Sequence, residues 1–236
     1  MRKAAIRPGP KSGPAVDTSR PARERVYAYV CEQILTGYFQ GGSFIEEEQI
    51  SSVMNVSRTP VREAFHRLEV EKFIDLLPRR GALVRQVTAS ELTEVYEARR
   101  VVEGYSIARI CQERLPVPAE LATLLEKMRR LQHSNHYEHV LTDRMFHRTI
   151  VAASGNAILA EVYDSLRSRQ LRVAMTALSV DPQRLRIIYS EHQQLLDALI
   201  AHDEVRARAV IDQHLRPVLE VVSRLPGFSL RPAGEI

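Results

Sequence analysis

"SRTPVREAFHRLE", residues 57–69, decides how the first part of this 236-residue chain is read. Pro60 has no amide hydrogen and is tolerated only in a first helical turn, so the helix starts at Ser57 or Thr59. At about 100° per residue, Val61, Ala64, Phe65 and Leu68 then share one side. Arg58, Arg62 and His66 share another, at successive i, i+4 positions. The apolar side suits a protein core. The basic side is either a solvated face or a face laid against nucleic acid. An arginine can offer two parallel bonds to O6 and N7 of guanine. The amides of a helix start, with the Ser57 and Thr59 hydroxyls, suit phosphate oxygens.

The flanking sequence decides between those readings. Residues 1–21 hold four prolines, two glycines and five basic side chains without periodicity, and read as a disordered basic arm. A helix begins at Ala22 and ends at Gly37, with Val26, Val30 and Ile34 at helical spacing. A turn-rich connector follows, then a short helix in "EEEQISSVMN" with Ile50, Val53 and Met54 facing inward. Asn55-Val56 is the turn before the helix quoted above. Two short β-prone runs, "IDLL" and "ALVRQV", flank a Pro-Arg-Arg-Gly tip and predict a hairpin. Three helices with a tight turn between the last two, then a hairpin, make a winged helix-turn-helix over 22–88. In that setting the basic face is expected on DNA, with Arg79 and Arg80 at the hairpin tip on a phosphate or in the minor groove.

The remainder is helical. "TASE" at 88–91 has capping-box spacing, in which Thr88 and Glu91 each satisfy a free amide. Six helices are predicted over 89–114, 117–134, 136–153, 157–179, 182–201 and 203–225, followed by a frayed tail over 226–236. The fold class is therefore mostly α: a winged helix-turn-helix with a small β-hairpin, then an all-α bundle. The net charge of +4 permits an anionic partner without requiring one. Cys31 and Cys111 lie far apart on apolar helix faces and read as buried free thiols of a cytoplasmic protein. No run of roughly eighteen apolar residues exists, so no membrane association is expected.

Four polar positions sit where apolar residues belong. Asp143 and His147 are one turn apart on an apolar face. His192 lies among Leu185, Leu195 and Leu199, and His214 among Val210, Ile211 and Val218. Burying an unpaired carboxylate costs several kcal/mol, a penalty that three imidazoles and a divalent cation would offset. Nitrogen and carboxylate ligands suit zinc first, with nickel, manganese or iron as alternatives. The competing reading is one histidine bonded to Asp143 and two satisfied core histidines. Arg99 is the last oddity, a guanidinium among Leu92, Val95 and Val102. Its anion is either Glu103, one turn on, or a bound ligand. With Glu103 claimed by Arg99, no general base accompanies the site, so enzymatic activity is not expected. Asn156 reads as a helix cap. His133, His136 and His139 match no ligand position and are expected to be solvated.

"VSRTPVREAFHRLE" resembles the recognition helix of the GntR family of bacterial transcription regulators, and the likeness extends over 22–88. "DRMFH", "EHQ" and "QHL", in that order over 89–225, resemble the FCD domain of the FadR subfamily, in its six-helix, VanR-like form. The resemblance implies Arg58 and Arg62 on bases and Ser57 and Thr59 on phosphates. It implies Asp143, His147, His192 and His214 on a metal, and Arg99 on a small organic-acid effector. A homodimer on a palindromic operator in double-stranded DNA follows from the same likeness. The alternatives are a regulator with a purely structural metal and one that senses the metal itself. Many relatives carry an arginine where this chain has Glu48, and a Pro-Gly where it has Gly41-Gly42.

Overall fold

The computed structural model describes residues 19–131 and 134–229. Most of the basic arm, His133 and the end of the tail lie outside those residues. The chain divides after Arg85 into two units.

The first unit contains α1 (Ala22–Leu35), β1 (Phe44–Ile45), α2 (Glu47–Met54), α3 (Arg58–Val70), β2 (Ile74–Leu77) and β3 (Gly81–Val84). Val61, Ala64, Phe65 and Leu68 of α3 are buried, as their spacing predicts, and pack with Val26 and Val30 of α1. Asn55 closes α2 at φ 50°, a left-handed value that asparagine tolerates, and turns the chain into α3. Val53 is a correction: it is exposed, because a two-turn helix against α3 buries only the Ile50–Met54 edge. The predicted hairpin forms, and the connector adds β1 as a third antiparallel strand, in the order β1-β3-β2. At the tip, Pro78 sets the turn, Arg79 adopts φ 63°, and the Arg80 amide donates to the Leu77 carbonyl. Gly81 follows at φ 88°, where a Cβ would lie 2.7 Å from the Ile45 carbonyl oxygen.

The second unit is all helical: α4 (Ala89–Gln112), α5 (Glu120–Leu131), α6 (His136–Ala153), α7 (Ala157–Ser165), α8 (Arg167–Val180), α9 (Arg184–Ile200), α10 (Glu204–His214) and α11 (Leu219–Val222). Its main core joins Ile107, Leu121, Phe146, Ile150, Leu195 and Ile211. A second cluster joins Val87, Leu92, Val95, Val173, Val221 and Leu225, with Phe228 against it.

Four expectations about this unit need correction. The stretch 157–179 is two helices that meet at Leu166, with no proline or glycine to mark the break in sequence. The side chains just before the break are held elsewhere, Tyr163 by Glu103 and Asp164 by Arg144 and Arg148. The stretch 203–225 breaks after His214, because Pro217 lacks an amide and its ring clashes with the preceding turn. The tail is also engaged at its start, since the Pro226 carbonyl accepts from the Ala89 amide. The capping box is half made. Thr88 Oγ1 accepts from the Glu91 amide at 3.1 Å, but the Glu91 carboxylate goes to Arg172 instead. Asn156 caps α7 as expected, accepting from the Leu159 amide. Cys31 and Cys111 are buried and not joined in a disulfide. Among the described residues no helix is long and apolar enough to cross a membrane.

Candidate metal centre and nucleic-acid face

In the second unit, α6 carries Asp143 and His147 on one face, α9 carries His192 in mid-helix, and α10 carries His214 as its last residue. The fold brings these four together, with one potential ligand atom from each within 4.8 Å of the others. His147 Nε2 lies 2.9 Å from His192 Nε2, and His192 Nε2 lies 3.3 Å from Asp143 Oδ1. A four-coordinate ion with bonds near 2.0–2.1 Å places its ligand atoms about 3.3 Å apart, so the donor set and its spacing fit a divalent metal.

Carboxylates behind the histidines fix which nitrogen faces inward. His214 Nδ1 is 2.9 Å from Glu191 Oε2. His147 Nδ1 is 2.8 Å from Glu103 Oε2, a charge contact without the alignment of a hydrogen bond. Both imidazoles therefore turn Nε2 toward the cluster, the arrangement that orients metal-binding histidines. Burial pushes the His214 imidazole down to about 3, with His147 adding like-charge repulsion. Burial also takes His192 far down. Burial alone would raise the Asp143 carboxyl, but His147, His192 and Arg99 outweigh it and hold it at about 2. Neutral imidazoles beside an ionised carboxylate are the ligand forms a metal requires.

Arg99 is buried beside this cluster, and its Nε donates to Glu103 Oε1 at 2.7 Å. Tyr163 donates to the same oxygen at 2.9 Å. Both sequence readings of Arg99 therefore keep a footing. Glu103 is its partner, yet Arg99 Nη2 is buried with no hydrogen-bond partner among the described residues. A cavity opens on this side of the cluster, lined by Tyr96, Arg99, His139, Asp143, Arg184 and His214. It leaves about 40 Å³ to the centres of water molecules, room for a few waters or a small polar group.

Two residues of this site escaped the sequence reading. Glu191 and Arg184 have no periodic signal, since charged residues at helix ends and flanks are ordinary. Glu103 was matched to Arg99 by spacing, but its approach to His147 depends on how α4 meets α6. His139 is a correction: it is 2% exposed rather than solvated, because it lies one turn before Asp143 on the inward face of α6. Arg172 is bonded to Glu91 and Arg169 is exposed.

In the first unit, Ser57 stands at the N-cap of α3, with Arg58 and Thr59 in its first turn and all three exposed. Arg58 and Arg62 face a groove shared with the wing, and Arg79 and Arg80 line its far side. Both helix arginines have acidic partners from the start of α2. Arg62 Nε donates to Glu47 Oε2 at 2.8 Å, and Arg58 Nη2 lies 3.2 Å from Glu48 Oε1.

Residues 22–84 match the family described as bacterial regulatory proteins, gntR family, and residues 94–217 match the FCD domain. The chain is 28% identical over 167 residues to the gluconate operon transcriptional repressor of Bacillus subtilis, covering 70% of this chain and 67% of that one. It is 27% identical over 209 residues to the HTH-type transcriptional repressor GlaR of Escherichia coli, covering 84% and 94%. A crystal structure of a GntR regulator from Rhodococcus sp. RHA1 shares the fold, with a TM-score of 0.69, 23% identity, and coverage of 82% and 93%.

Proposed function

The chain belongs to the gntR family of bacterial regulatory proteins and is a DNA-binding transcriptional regulator with an FCD domain, and from that premise we propose that a small carboxylate, bound beside a divalent metal in the helical unit, controls its affinity for an operator. The observation that carries this reading is one cavity lined by Asp143 and His214 of the cluster and by Arg99, whose Nη2 is buried with no hydrogen-bond partner among the described residues. The metal, zinc before nickel, manganese or iron, supplies a Lewis-acid position for a carboxylate oxygen. Arg99, assisted by Arg184, pairs with the same anion. One relative is named for control of a gluconate operon, and gluconate is itself a carboxylate.

In the N-terminal unit, Arg58 and Arg62 face base edges, Ser57 and Thr59 hold phosphates, and Arg79 and Arg80 reach a neighbouring phosphate or the minor groove. The active species is a cytoplasmic homodimer on a palindrome. Val101 and Tyr105 on α4 and Ile158 and Val162 on α7 are exposed on helices that pack together, an apolar face suited to a two-fold partner. The effector acts only if it binds two dimer geometries with different affinity.

The test begins with selection of genomic fragments by the purified chain, followed by elemental analysis of the same protein. Operator affinity is then titrated with a panel of small carboxylates at fixed free zinc. The expected result is one metal per chain and release of DNA by a restricted set of acids, lost in Arg99→Ala. Metal present with no responsive acid would favour a structural ion. DNA affinity that tracks free metal without any acid would make the chain a metal sensor.

A further inference from the structure

The recognition helix does not leave Arg58 and Arg62 unpartnered. Glu47 and Glu48, the first two residues of α2, hold Arg62 and Arg58 respectively. On charge alone this is unfavourable for a face that meets a polyanion, since each carboxylate weakens attraction to phosphate. The atoms engaged indicate a use. A guanidinium has five N–H donors on three nitrogens, and guanine is read by two parallel donors on O6 and N7. Glu47 takes Nε of Arg62, which leaves the two terminal nitrogens as an intact fork. The contact also restrains a long side chain that is 62% exposed. The acid is the better anchored partner, with a side chain only 32% exposed. Glu48 does the reverse. Its Oε1 lies 3.2 Å from Nη2 of Arg58, a terminal nitrogen, so this ion pair competes for one prong of that fork.

We propose that the acid pair on α2 ranks the two arginines. Glu47 is a positioning residue that presents Arg62 end-on as the guanine reader, and Glu48 withholds Arg58 from bidentate reading. This rests on the reading of α3 as the base-contacting helix and assigns its specificity to atoms on the neighbouring helix.

The experiment uses the full-length protein, randomised duplex DNA, and selection read by sequencing, with wild type, Glu47→Gln, Glu48→Gln, Arg62→Ala and the Glu47→Gln/Arg62→Ala double variant. The wild type is expected to enrich a palindrome with a strong guanine in each half. Glu47→Gln is expected to lose about tenfold of the preference for that guanine and to leave other positions alone, within the range typical of one bidentate contact. Arg62→Ala loses the same position, and the double variant loses nothing more. Glu48→Gln gains a guanine preference at a second position as Arg58 is released. Glu47→Asp, which keeps the charge but shortens its reach, is expected to reproduce the loss and separates positioning from charge. If Glu47→Gln instead tightens binding to every sequence by one factor, the acid is only a repulsive charge and the proposal is overturned. A wild type that enriches no sequence sinks the premise of base reading, and with it the ranking.

Discussion

Glu103 shows how much one residue can carry. It is fully buried, accepts from Arg99 and Tyr163, and lies against His147. Burial opposes its ionisation, but Arg99 and His147 hold its carboxyl well below the usual range. Glu103→Gln removes the charge that Arg99 was buried with. Breaking a buried pair in this way is expected to cost about 3–5 kcal/mol, measured by denaturant unfolding. It should also weaken metal binding about 10–100-fold, as losing a histidine's supporting carboxylate does. His139 gives a prediction with pH. Burial lowers its pKa, Asp143 pulls it back only in part, and His136 adds repulsion. Its contribution to stability is therefore intact above its ordinary value of 6.5. Below that, the unfolded chain binds a proton that the folded chain refuses, and stability falls as pH falls toward the depressed value. The slope from this residue is at most about 1.4 kcal/mol per pH unit. His139→Phe should flatten the fall of the unfolding free energy as pH drops below 6.5; an unchanged slope would assign the loss to other groups.

Among the elements, the wing and the helix starts depend on single positions. Gly81 begins β3 at a positive φ while the β1 backbone passes at 2.7 Å from where a Cβ would be. Gly81→Ala must therefore separate β1 from β3 or distort the turn that displays Arg79 and Arg80. A loss of more than about 1 kcal/mol in the N-terminal unit is expected from the backbone strain alone. DNA affinity should fall with it, measured by anisotropy. Asn156 supplies a side-chain cap to α7 after Gly155, which turns the chain at φ 75°. Asn156→Ala is expected to cost about 1 kcal/mol, read in thermal unfolding. Helix phase and turn chemistry were legible here because they depend on residues within a few positions of each other. The break at Leu166 was not, because partners on α4 and α6 hold the side chains next to it.

For the whole molecule, a metal held at the proposed site would make binding and folding one equilibrium. The four clustered residues come from three helices separated by up to 71 positions in sequence, so only the folded unit can gather them. Saturating zinc at about a hundred times its dissociation constant should stabilise the protein by about 2.7 kcal/mol. Chelation should reverse the shift, and His192→Ala should abolish it; a zinc-induced shift that survives in His192→Ala would place the ion elsewhere. The four clustered residues were legible as polar residues on apolar stripes, because a buried carboxylate or imidazole needs a partner wherever the helix lies.

The sequence alone determined the winged N-terminal unit, the helical remainder, the basic face of α3 and the identity of the four residues that cluster in the bundle. Periodicity, proline and capping rules act over one or two turns, and the cost of burying charge applies before any partner is known. Tertiary structure alone decided that Glu103, besides the Arg99 that its spacing already offered, also meets Tyr163 and His147, that Arg184 reaches the cavity, and that Glu47 and Glu48 meet Arg62 and Arg58. Each of those contacts joins side chains from different helices. Their meeting is set by how helices pack, which no local spacing rule encodes.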